Sequence, residues 1–193
     1  AAHVRRAGES ATYLQSDVAA WELDTLDTTW IDVTYFEIPK EQITEIVLEN
    51  ANGTFTLIPV EGGEEGEWTL ADATDDEPIA SANINTFVDR IARINLHSVL
   101  GKSASPDYGL EAPLATITVT ASDATTATTD SSLTTTTFVV GAKDEELNTY
   151  AFKSSHSEYY VRLAAFTGDE FVNQQRSDFM IQADEGGGEG TDA

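Results

Sequence analysis

Hydrophobic and polar positions alternate along several short runs of this chain, and in one longer run they fall into a helical stripe. In "SANINTFVDRIARINLH", Ile84, Phe87, Val88, Ile91 and Ile94 recur at helical spacing and form one apolar face. This predicts a helix over residues 81–97. Ser81 is its expected N-cap, Asp89 and Arg93 are expected i,i+4 partners on the wet face, and Gly101 is expected to close the helical segment.

The alternating runs predict strands. Ile43, Ile46 and Leu48 on one side of Asn52-Gly53, with Phe55, Leu57 and Pro59 on the other, read as a hairpin with a type I′ turn. A short strand follows around Trp68 and Leu70. Ile117 and Val119 alternate with threonines. The Thr/Ser-rich stretch 122–137 reads as a long polar loop before "TTTTFVVGA", and "NTYAFKS" and "EYYVRLAAF" complete the strand set. A second helix is expected over 167–176, with Phe166, Phe171 and Val172 on its buried side. Residues 13–36 are loosely helical in spacing, with Asp17 as a cap. The expected fold class is α+β, a largely antiparallel meandering sheet packed against one main helix (81–97) plus short helices. The expected core is Ile46, Leu48, Phe55, Leu57, Trp68, Phe87, Val88, Ile91, Ile117, Val119, Phe138, Val140, Tyr160 and Val161.

One internal echo bears on domain organisation. Tyr13-Leu14 lies 147 residues before Tyr160-Val161, and Leu23 and Trp30 precede Phe171 and Phe179 by 148 and 149. The expected layout is therefore the tail of a preceding repeat unit (1–38), one nearly complete unit (39–182) and a disordered acidic Gly-rich tail (183–193).

Composition narrows the function classes. The 193 residues are 40% hydrophobic and 23% charged, as in globular chains, and carry a formal net charge of −24 from 34 acids against 10 bases. Such a field repels nucleic acid and anionic lipid. The absence of cysteine excludes disulfides, thiolate metal sites and a cysteine nucleophile. No apolar run is long enough to span a bilayer and no signal peptide is recognisable, so membrane attachment is expected only through an anchor in a parent chain upstream of Ala1.

Candidate chemistry is sparse. His3, His97 and His156 are far apart, and none has a metal-ligand spacing such as HExxH. There is no GxSxG elbow, P-loop or dinucleotide fingerprint, and the glutamates of "EGGEEGE" would repel a phosphate. The carboxylates Asp72, Asp75, Asp76 and Glu77 are the candidate Ca²⁺ ligands, and "KDEEL" is a second acidic cluster; both are also what a solvated loop of so acidic a chain looks like. Asn52-Gly53-Thr54 matches a glycosylation sequon, with the hairpin turn as the sharper reading. In "SPDYGLEAP", Gly109 can take a backbone conformation closed to other residues, and Pro113 blocks helix continuation into a strand starting at Ala115.

Taken in order, Trp68-Thr69-Leu70, the following helix, Tyr108-Gly109-Leu110 with Pro113, Val140-Gly141 and Tyr159-Tyr160-Val161 resemble the DUF4340 family, over about residues 43–180. That resemblance implies a membrane-anchored, extracytoplasmic bacterial protein of unknown function, associated with ABC-type transporter components or gliding motility. It brings no catalytic residues and no cofactor. Trp68, Tyr108, Gly109, Leu110, Pro113, Gly141 and Tyr160 are its motif positions, expected to be structural. The leading expectation is a non-enzymatic extracytoplasmic (periplasmic) module touching transporter or other membrane-protein components, or a spacer. The alternatives are a binding domain for a small ligand, Ca²⁺ or envelope glycan, and a hydrolase whose carboxylates converge only in the fold.

Overall fold

The computed structural model describes residues 2–6, 8–16, 31–62, 66–74, 76–122 and 133–181. The chain divides into two units, Ala1–Val33 and Thr34–Ala193. In the first, β1 (Ala2–Val4) and β2 (Tyr13–Gln15) pair antiparallel, with His3 opposite Leu14. Residues 13–15 are thus strand rather than helix. The helix cap expected at Asp17, the calcium candidate Asp75 and the tail 183–193 lie outside the described residues.

The second unit runs β3 (Thr34–Glu37), β4 (Ile43–Asn50), β5 (Gly53–Pro59), β6 (Trp68–Leu70), α1 (Ser81–Ala92), β7 (Arg93–Asn95), β8 (Ser98–Gly101), β9 (Ala115–Ser122), β10 (Leu133–Asp144), β11 (Thr149–Ser154), β12 (Tyr160–Ala164) and α2 (Ala165–Asn173). Eight strands form one antiparallel sheet in the order β6-β5-β4-β9-β10-β11-β12-β8, while β3 and β7 form a separate pair. Two local meanders, β4–β6 and β9–β12, are joined where β4 lies against β9.

Strict alternation gives this sheet its single apolar face. Every odd position of β9 from Ala115 to Ala121 is buried, and every even one is half-exposed. Register carries that face across the strands: Leu57 lies opposite Ile46, Ile46 opposite Val119, Ile117 opposite Phe138, and Val140 opposite Phe152. Both helices cover this side. Phe87 of α1 makes edge-on contacts with Phe171 of α2 (5.9 Å) and with Phe179 (5.6 Å). Gly168 lets α2 approach closely, because a Cβ there would sit 2.1 Å from the Tyr150 ring.

The polar tip of the β4–β5 hairpin fastens the end of α2. Asn50 Nδ2 donates to the carbonyls of Phe171 and Gln174 (3.0 Å each), and Asn52 Nδ2 donates to those of Asn173 (3.0 Å) and Gln174 (3.1 Å). These are last-turn carbonyls with no intrahelical partner. The turn centres on Ala51-Asn52, with the positive φ (138°) at Gly53. It is therefore not type I′, which needs positive φ at both central residues.

Several boundaries differ from the sequence expectation. Helix α1 stops at Ala92 and not at residue 97, because Arg93 is extended (φ −140°, ψ 109°) and β7 pairs with β3, and it shares the cover of the sheet with α2 where one main helix was expected. Ile94 suits both periods: it continues the helical stripe, yet it is buried as a strand residue opposite Phe36. Gly101 ends a strand, not a helix. Ala80 rather than Ser81 is the N-cap, and the Ser81 hydroxyl donates to Glu67. Asp89 pairs with Lys40 and Arg93 with Glu37, so these two do not pair with each other. The second helix starts at Ala165, which leaves Phe166 exposed. Residues 133–137 of the Thr-rich stretch are strand, not loop. Tyr160 points to the half-exposed face; the other expected core residues are buried, joined by Ile43, Phe152, Leu163, Phe171 and Phe179.

Substituting Gly168 with alanine is expected to destabilise the protein by about 2 kcal/mol or more through overpacking against Tyr150, read as a lower denaturant midpoint with an unchanged m-value.

Candidate functional site

The segment Ser105–Leu110 folds as a corner. Ser105 accepts a hydrogen bond from the Asp107 N–H (3.3 Å), Pro106–Tyr108 makes one 3-10 turn, and Gly109 turns the chain in the left-handed region (φ 63°, ψ 19°). A Cβ on Gly109 would meet Ala142 Cβ and N at 3.0 Å, and one on Gly141 would lie 2.0 Å from the Tyr108 carbonyl oxygen and 2.9 Å from Leu110 Cδ2. The corner is therefore pressed against β10, with the Tyr108 carbonyl and the Leu110 side chain in the space a Cβ on Gly141 would take. The rings of Tyr108 and Tyr160 lie 5.5 Å apart, and Leu114 N–H donates to the Val140 carbonyl at 2.8 Å, setting β9 beside β10.

So Tyr108, Gly109, Leu110, Gly141 and Tyr160 come together in space, although up to 52 residues separate them. Trp68 is elsewhere, fully buried in the edge strand β6. Pro113 borders a different hollow, with Glu49, Leu114 and Val172.

Beside the corner lies a hollow of about 320 Å³ between Tyr108, Asp107, Lys143, Asp144 and Arg162. Its charges are mostly matched pairwise. Arg162 bridges Asp144 (2.8 Å) and donates to Thr149 Oγ1 (3.1 Å). The Leu147 backbone N–H, helped by Arg162, holds the Asp144 carboxyl below the usual carboxylate range, against some opposing burial. Lys143 turns away to Asp169 (3.2 Å), which also accepts the Tyr150 hydroxyl at 2.6 Å. That hydroxyl and Lys143 hold Asp169 low, while burial, followed by Asp169 itself, pushes the Tyr150 phenol well up. The Asp107 carboxylate accepts from the Ser105 hydroxyl (3.3 Å).

The calcium candidates divide. Arg176 binds Asp72 (2.8 Å) and Glu77 (2.9 Å), and Asp76 lies beside them on the same loop. The Arg176 guanidinium depresses the Glu77 carboxyl below its ordinary value. Among the described residues no group of three or more His, Asp and Glu is placed to hold a metal ion. His156 Nδ1 lies 3.1 Å from Thr136 Oγ1 and 3.2 Å from Ser155 Oγ, at an exposed turn. His3 and His97 are exposed.

Sequence reading missed Arg176, Arg162 and the Tyr150–Asp169 pair. The Arg176 partners lie 99 and 104 residues away, and no spacing rule reaches that far. The family described as "Domain of unknown function (DUF4340)" matches residues 1–113, a span that includes Trp68 and Tyr108–Pro113 and ends before Gly141. No curated protein and no solved structure matches the chain.

Two outcomes follow from the geometry. Gly141→Ala is expected to destabilise more than Gly109→Ala, which itself costs on the order of 1 kcal/mol through its positive φ; equal midpoints for the two variants in chemical denaturation would contradict the close approach. The lowered carboxyls of Glu77, Asp144 and Asp169 give stability that is present above their unfolded values and is lost as pH falls through the folded ones. The melting temperature is expected to hold down to about pH 5 and to fall below about pH 4, less steeply in Arg176→Gln, as followed by circular dichroism.

Proposed function

The chain belongs to the DUF4340 family of domains of unknown function, and from that premise we propose that it is a non-enzymatic, extracytoplasmic contact module of a membrane-anchored, transport-associated protein. The observation that carries this reading is the face of the sheet turned away from both helices. Across its centre, Thr56, Val47, Thr118 and Thr137 stand side by side in register, all half-exposed. Glu49, Thr116 and Val139 form the neighbouring row. Apart from Glu49, the rows present methyl and hydroxyl groups from four adjacent strands; only at the Glu49–Thr116 end does α2 come near, through Val172.

β-Branched side chains restricted at χ1 lose little freedom when a partner covers them, so a face built this way suits contact with another protein. The charge of −24 directs it toward a partner surface carrying basic groups. The paired charges beside Tyr108 suit a structural corner better than a reaction centre.

A tandem arrangement belongs to the same proposal. The β1–β2 pair and β11–β12 share one register: Val4 faces Tyr13 as Lys153 faces Tyr160, and His3 faces Leu14 as Phe152 faces Val161. Phe152 and Val161 are fully buried, whereas Leu14 is 64% exposed, which supports reading the β1–β2 pair as the closing hairpin of a preceding unit, one that ends before β3, since β3 pairs with β7 of the second unit. No helix among the described residues is long and apolar enough to cross a membrane, so the anchor in this reading belongs to the parent protein.

Two hollows among the described residues favour the alternative, a small-ligand site: the one beside Asp107 and Tyr108, and one of about 470 Å³ lined by Lys40, Glu41, Ile43, Pro59, Gly66 and Trp68.

A photo-crosslinking residue at position 118 of the parent protein, expressed in its own cells, is expected to capture a membrane transport component. The same residue at Glu146, on the β10–β11 turn, is the control. Equal capture from both positions, or none, would overturn the contact reading.

A further inference from the structure

Asn52 is exposed, and its amide nitrogen, which carries two hydrogens, donates to the Asn173 carbonyl (3.0 Å) and to the Gln174 carbonyl (3.1 Å). Its own backbone N–H donates to Asn50 Oδ1 (2.8 Å), so the two asparagines are locked to each other as well as to the end of α2. The next residue is Gly53, which has no side chain to shield its nitrogen and carries φ 138°. An asparagine followed by glycine is the sequence in which the backbone nitrogen most readily reaches the side-chain carbonyl. We propose that Asn52 is a site of spontaneous hydrolytic modification, and that its conversion to aspartate or isoaspartate turns the hairpin tip from a latch on the C-terminal helix into a repulsive contact.

The chemistry needs only water. The Gly53 nitrogen attacks Asn52 Cγ, the Cγ–Nδ2 bond breaks, and ammonia leaves with the proton lost by the Gly53 nitrogen. Water then opens the cyclic imide at one of its two carbonyls, giving aspartate or isoaspartate. Both products replace a double donor by a carboxylate that can only accept. In aspartate that carboxylate faces the Asn173 and Gln174 carbonyl oxygens, at the negative end of the α2 dipole; in isoaspartate the side-chain arm becomes part of the main chain and the donor to those carbonyls is lost. Isoaspartate also lengthens the backbone inside the turn and breaks the Asn50–Gly53 pairing.

The latch controls access to this reaction. While it is closed, Asn52 Cγ is held toward α2, and Gly53 is held in the hairpin ladder. Attack therefore proceeds from the locally opened state, at a rate set by that state's population. Once modified, the tip no longer closes. The segment released is the one after α2, whose Arg176 grips Asp72 and Glu77 and whose Ile181 N–H donates to the Pro78 carbonyl at 2.7 Å.

The intact chain is incubated at mildly alkaline pH, native and in denaturant, and the peptide holding Asn52 is followed by mass spectrometry. Native conversion is expected, at least about tenfold slower than in denaturant. Hydrogen exchange on the aged protein and on Asn52→Asp is expected to quicken over residues 171–181 while β9–β11 stay protected. Asn52→Ser, which removes the amide without adding charge, is expected to quicken the same segment less. Native conversion as fast as in denaturant, no native conversion at all, or unchanged exchange over 171–181 after modification would each overturn the proposal.

Discussion

The ring of Phe87 is the point where the cover of the sheet is joined. A sheet with one apolar face needs enough apolar surface laid across it to exclude water, and here that surface comes from separate pieces. Phe87 belongs to α1, Phe171 to α2, and Phe179 to the short turn beyond it. Phe179 in turn meets Phe55 of the sheet at 5.9 Å. Burying each ring contributes about 1.5–3 kcal/mol, and each edge-on pair about 0.5–1.5 kcal/mol more. The Asn50 and Asn52 amides and the Arg176 ion pairs hold these pieces in place, so the polar fastenings at the rim serve the aromatic contact at the centre.

The other end of the molecule follows a different logic. At the Tyr108–Gly109–Leu110 corner, closeness is bought with glycine rather than with bulk: Gly141 and Gly109 bring two backbones together where any Cβ would intrude. The Tyr108 and Tyr160 rings, tilted against each other, and the Arg162–Asp144 bridge then close around that contact. Of the charges nearby, the Asp144 carboxyl is held low by the Leu147 N–H and by Arg162, which suits a group that positions a chain.

Local periodicity was readable wherever one rule applied alone. The alternation of Ile117 and Val119 and the stripe from Ile84 to Ile91 both survive in the fold. Ile94 was misread because its position satisfies two periods, and only its partner Phe36, far away in sequence, decides between them. The motif order Tyr-Gly-Leu, Val-Gly, Tyr-Tyr-Val pointed to positions that converge, yet the reason, a backbone oxygen pressed against Gly141, cannot be seen in one dimension. The Arg176 clamp was invisible for the same cause: a charge names no partner until the chain is folded.

The junction of β4 with β9 has a consequence for how the chain is made. β4 ends at Asn50 and its second neighbour begins at Ala115, so on a ribosome adding about 5–20 residues per second the β4–β5 hairpin waits several seconds with an open edge. A lone hairpin is marginal in water, and Glu45 and Glu49 place like charges along the waiting strand, which discourages it from pairing with a neighbouring copy. The β9–β12 meander is local and can form as it emerges, so it is the platform onto which the older hairpin docks. The part of the unit synthesised first is thus among the last to become permanent.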